Sequence, residues 1–196
     1  VNTPKKPKTP KRVTPAEFTK LAHALDPKDD IRLSLEEPEI LIRLGRIASD
    51  WPFVEEHFSS ILGILVGSRV TGSLIFRAII NQKTRIDVAR ELLQRGLKNE
   101  NRGGDFDDII EEFAALNNIR NQYLHGLWTT INNITYLAEP TGDLFSFCDG
   151  RKVTAKELDI VIGRLKAFSR KCREMGKRDR AEQKQIEKSR QPPDEP

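Results

Sequence analysis

Late in the chain, Asn117-Asn-Ile-Arg-Asn-Gln-Tyr-Leu-His-Gly126 brings amides, a guanidinium and an imidazole together. Arg120 is a permanent cation, Asn121 follows it directly, and His125 brings an imidazole. Metal-free cleavage of an RNA phosphodiester can use this set. The imidazole moves the proton of the attacking 2′-hydroxyl or of the leaving oxygen, and the guanidinium neutralises charge developing on phosphorus. RNA supplies its own nucleophile, so neither a protein nucleophile nor a metal is required. A structural account fits the same residues. Asn and His near a helix end bond the last open carbonyls, Gly126 stops the helix, and Arg120 pairs with Glu112 or Glu55.

The period around these residues is helical. At about 100° per residue, Ile109, Leu116, Tyr123 and Leu127 share an apolar face, with Asn117, Asn121 and His125 as a polar stripe beside it. Arg120 then projects near the edge of the apolar stripe, where it must reach a carboxylate, a subunit interface or an anionic ligand. This helix is expected to start at Asp105, whose neighbours Asp107 and Asp108 also suit a positive helix end, and to run to Gly126 or Trp128. Upstream, a long helical element from about Pro38 should kink or split near Trp51, because Pro52 interrupts it. A second helical unit runs from about Ser73 to Leu97, with Gly96 placed to end it.

Downstream the period changes. Thr130–Ala138 alternates, Pro140–Asp143 has turn chemistry and Leu144–Phe147 alternates again, which predicts a short β-hairpin. Thr154, with Glu157 three residues on, caps a last helix whose apolar side includes Leu158, Val161 and Leu165. The expected fold class is all-α: an antiparallel helical bundle with a short β-hairpin inserted before the last helix.

The chain has 196 residues, 37% of them apolar and 32% charged, which suits one compact domain rather than two independent cores. Collagen-like, prion-like and disulfide-stapled classes are excluded by composition. No apolar run is long enough to span a membrane, and the basic amino end has no signal-like apolar stretch. Cys148 and Cys172 are widely separated and read as reduced thiols of a cytoplasmic protein. Residues 1–15 carry +5 and residues 170–196 carry +3 of a total of +4, which leaves −4 for residues 16–169. The expected organisation is a disordered basic tail over 1–15, a helical domain over 16–176, and a charged, largely disordered tail over 177–196.

Arg120-Asn121-x-x-x-His125-Gly126, late on a helix of a helical bundle, resembles the HEPN superfamily, the higher eukaryotes and prokaryotes nucleotide-binding domains. Arg120 and His125 match the family's Arg and His pair, Asn121 fills the polar position after the Arg, and Gly126 fits the frequent His-Gly ending. The resemblance implies a bundle over about Glu37 to Ala167 that forms a homodimer, with the motifs of two subunits facing each other. It also implies a metal-independent endoribonuclease without cofactors, of the kind found in toxin–antitoxin, phage-defence or RNA-processing systems. Other members are non-catalytic protein-interaction or nucleotide-binding modules, and an antitoxin or nucleotidyltransferase partner fits either setting. On this reading His125 is the general acid and base, Arg120 stabilises transition-state charge, and Asn121 orients Arg120 or the scissile phosphate. Glu55 is the candidate for an additional acid.

Other residues point to chemistry less directly. His57 beside Glu55 and Glu56 lacks a second His at metal-ligand spacing and reads as part of a solvated helix face. His23 has no evident partner. Gly63, Gly67 and Gly72 do not form a phosphate-binding loop, and the basic series from Arg170 to Arg180 reads as a solvated helix end.

Overall fold

The structure, a computed structural model, describes residues 31, 32, 35, 37–96, 103–131, 134–138 and 150–190. In chain order these form β1 (Ile31–Arg32), α1 (Pro38–Leu65), α2 (Arg69–Ala78), α3 (Gln82–Gly96), α4 (Gly103–His125), β2 (Leu127–Ile131), β3 (Ile134–Ala138), β4 (Gly150–Lys152) and α5 (Ala155–Arg190). The result is a mostly helical bundle with a small antiparallel sheet. The basic tail expected over 1–15 and His23 lie outside the described residues, as does Cys148. Contacts divide the chain into two compact units, one of Val1–Leu44 and Gln122–Leu158, the other of Gly45–Asn121 and Asp159–Pro196.

In the first unit the sheet order is β1-β2-β3-β4, all antiparallel. β2 and β3 pair from Leu127↔Ala138 to Ile131↔Ile134 as the strands of a hairpin. The turn expected at Pro140–Asp143 lies outside the described residues; β3 pairs next with β4, from Ala138↔Gly150 to Tyr136↔Lys152. The alternating segment Thr130–Ala138 spans the end of β2 and the whole of β3. The expected strand Leu144–Phe147 lies outside the described residues. Leu137 and Val153 join Ile40, Leu44, Tyr123 and Leu158 among the buried apolar side chains of this unit. Thr135 ties β3 to the start of α1, its hydroxyl donating to Glu37 Oε2 at 2.8 Å.

In the second unit an aromatic column organises the core. Phe113 of α4 stacks on Phe58 of α1 at 3.8 Å between ring centroids and 3° between planes. Trp51 stacks on the same ring at 5.7 Å, Phe168 of α5 leans on it at 5.9 Å, and Phe76 of α2 meets Phe58 edge-on. α1 passes through Pro52 as one helix instead of splitting there. Pro52 is exposed, so its missing amide costs one hydrogen bond on the solvent side. Trp51, Val54 and Phe58 anchor both flanks in the core.

The three glycines of the next segment build a tight helix–helix turn. Ser68 N donates to Gly63 O and Gly67 N to Ile64 O, a Schellman closure with Gly67 at φ 70°. Ser68 then caps α2 by accepting from Thr71 N. Asn81 performs the same service for α3, accepting from Lys83 N and Thr84 N. That cap divides the single element expected over 73–97 into two helices.

α4 and α5 run antiparallel in this unit, joined by ion pairs. Arg164 holds Glu112 through two hydrogen bonds of 3.1 and 3.0 Å, Lys171 meets Asp108 at 3.3 Å and Arg178 meets Asp105 at 3.4 Å. α5 is helical as far as Arg190, along residues that the sequence reads as a frayed helix extension ahead of disorder; residues 191–196 lie outside the described residues. Good helix formers and pairs such as Gln183 with Asp179 sustain an exposed helix there.

Candidate functional site

α4 is the element that positions the candidate residues. It carries Arg120 and Asn121, which belong to the second unit, and ends at His125, which belongs to the first. The two carboxylates that the sequence offered to Arg120 are engaged by other cations. Glu112 binds Arg164, while Glu55 accepts from Arg85 at 3.2 Å and from Gln82. Glu55 is thereby committed to α3, which argues against its role as an additional acid of the site.

Arg120 is half-buried, and its Nη1 donates to Asn121 Oδ1 at 2.8 Å. Its guanidinium carbon lies 5.8 Å from the centre of the Trp51 ring, which in turn stacks on Phe113. A planar cation over an aromatic face, with an amide oxygen fixing one of its nitrogens, is a preorganised donor fork. From the sequence, Trp51 reads as a core or hairpin-packing residue rather than a base-stacking platform. Its part in holding Arg120 depends on the packing of α1 against α4.

The polar stripe changes character along its length. Asn117 is buried, at 7% exposure, whereas Asn121 and His125 are exposed. Asn117 Oδ1 finds no hydrogen-bond partner among the described residues. A buried amide oxygen of this kind calls for a water or a ligand group, since leaving it unmet is costly.

In the first unit, the residue after His125 is glycine for reasons of space. A Cβ on Gly126 would lie 2.3 Å from Leu137 Cδ1 and 2.4 Å from the Gln122 carbonyl oxygen. The chain leaves α4 at His125 and enters β2 at Leu127, which is 50% exposed instead of extending the apolar helical face. Trp128 Nε1 donates back to the Tyr123 carbonyl at 3.0 Å, and the two rings stack at 6.3 Å. The Tyr123 hydroxyl donates to Glu157 Oε1, which also accepts from Arg151. Burial pushes the Tyr123 hydroxyl up to about 12. Glu157, expected as a reciprocal cap partner, thus turns its side chain to this network, while its amide still donates to Thr154 Oγ1 at 3.3 Å.

Among the described residues, no group of three or more His, Cys, Asp or Glu is placed to hold a metal, and no helix is long and apolar enough to cross a membrane. Comparison with protein-family models, curated proteins and solved structures finds no match to this chain.

Proposed function

We propose that the protein is a metal-independent RNA endonuclease of the HEPN kind that works as a homodimer. His125 moves the protons, Arg120 stabilises charge on the phosphorane-like transition state, and Asn121 holds Arg120 in register. The observation that carries this reading is the Arg120–Asn121 hydrogen bond, made by a guanidinium seated on Trp51 in the last turns of the helix that ends at exposed His125. Catalysis by charge stabilisation depends on donors oriented before the reaction, and this pair meets that requirement. A toxin or phage-defence role is the setting that the resemblance suggests.

The test is cleavage of single-stranded RNA by the purified protein in excess chelator. Nicking is expected in wild type, with His125→Ala losing about 10² or more of the rate, the scale of an acid–base group. Equal rates in the two proteins remove the site assignment. A second reading, a non-catalytic interaction or nucleotide-binding module, draws on the −4 charge of residues 16–169, which disfavours avid binding of a polyanion by that body as a whole. It predicts no cleavage by either protein.

A further inference from the structure

α5 presents two unlike faces to its surroundings. On one, Arg164, Lys171 and Arg178 recur every seven residues, and each is paired with a carboxylate of α4. On the other, Lys166, Arg170, Arg173, Lys177, Arg180 and Lys184 alternate at spacings of four and three residues. At about 100° per residue this keeps all six within an arc of about 80°, over a length of about 27 Å. All six are exposed, and no ion pair involves them among the described residues. The acids of the same stretch, Glu174, Asp179 and Glu182, fall outside that arc.

α1 and α5 border a groove of about 260 Å3 at the upstream end of this stripe, wholly within the second unit. Lys166 and Arg173 line it from α5, and Arg46, Phe53 and His57 from α1. Its one carboxylate, Asp50, lies 3.8 Å from Arg46. Phe53 is 64% exposed, an apolar ring displayed among cations. His57 Nδ1 donates to the Phe53 carbonyl, which leaves Nε2 as the ring nitrogen that a ligand can meet. The solvated face expected for His57 is thus one wall of a basic groove.

We infer that this groove and the α5 stripe bind a single-stranded polynucleotide, Phe53 stacking on a base and the cations following the phosphates. Charge complementarity commits the surface to an anion, because six like charges along one face repel each other until an anionic partner covers them. The extended stripe suits a chain of phosphates better than a single one. Phe53 selects the single strand, since only an unstacked base offers its face to a ring. The inference uses none of the α4 motif and holds whether or not that motif cleaves RNA.

The experiment titrates a fluorescent 20-nucleotide RNA, its DNA counterpart and the annealed duplex with full-length His125→Ala protein, so that cleavage does not consume the probe. Single strands should bind better than duplex, with the RNA and DNA arms reporting which sugar is preferred. Arg170→Ala/Arg173→Ala/Lys177→Ala should lower the slope of log affinity against log salt by about 2, at about 0.7 for each phosphate no longer neutralised. Phe53→Ala should weaken binding roughly 5- to 150-fold and leave that slope unchanged. Arg77→Ala/Lys83→Ala/Lys152→Ala removes the same charge from exposed positions elsewhere and should leave the slope intact. Absence of binding at low salt, a preference for duplex, or equal losses in the two triple variants overturns the inference.

Discussion

Gly126→Ala separates two reasons for a glycine after His125, one of space and one of chemistry. The new methyl carbon would stand 2.3 Å from Leu137 Cδ1 and 2.4 Å from the Gln122 carbonyl oxygen. Favourable carbon contacts begin at about 3.5 Å, so more than an ångström of movement is needed. Leu137 is 1% exposed and has little room to yield. The carbonyl also accepts the Gly126 amide at 3.0 Å, so backbone relief sacrifices a hydrogen bond. Overpacking of this kind costs about 1–3 kcal/mol. For a chain of this size that lowers Tm by roughly 2–12 °C. The measurement is thermal and urea unfolding followed by near-ultraviolet circular dichroism, which reads the Tyr123–Trp128 pair.

A double-mutant cycle sharpens the same prediction. Leu137→Ala alone should cost about 2–5 kcal/mol as a buried truncation. The double variant should be less destabilised than the sum by at least about 0.5 kcal/mol, because the truncated side chain no longer meets the new methyl. Strict additivity, or a Gly126→Ala protein as stable as wild type, refutes the steric account of this residue.

Two further predictions concern buried titratable groups. Tyr123 has a hydroxyl raised to about 12 by burial, against 10.0 for the ordinary group. Its folded state retains the proton that the unfolded chain releases, so its contribution is whole below pH 10 and is lost between about pH 10 and 12. The fall amounts to order 2 kcal/mol, and urea midpoints across that window should decline less steeply for Tyr123→Phe than for wild type. Cys172 is buried, with its thiol likewise pushed up to about 12. In a Cys148→Ser protein at pH 8, Cys172 should resist a thiol reagent until denaturant is added; prompt labelling of the native protein contradicts its burial.

Helical periodicity made much of this fold readable in advance. Ile109, Leu116 and Tyr123 share a buried face of α4 because residues seven apart return to the same side of a helix. The prediction fails one step later, at Leu127, where the chain has left α4 and begun β2. Thr154 is legible as a cap because its function is local. Asn81 is a cap for the same reason, yet the apolar run Ile79-Ile80 beside it carries the helical rhythm across the break and hides it.

Residue type and spacing alone put Arg120, Asn121 and His125 on the last turns of a helix and the Lys and Arg of residues 164–184 on another. These follow from the chain's own 3.6-residue period, which needs no partner. Tertiary structure decided which of those charges are spent and which remain. Packing α4 against α5 pairs Arg164, Lys171 and Arg178 with acids more than fifty positions away, and packing α3 against α1 gives Glu55 to Arg85. It also seats Arg120 on Trp51 and closes Leu137 over Gly126. Such contacts join residues whose separation along the chain is unrelated to their separation in space, so no local pattern encodes them.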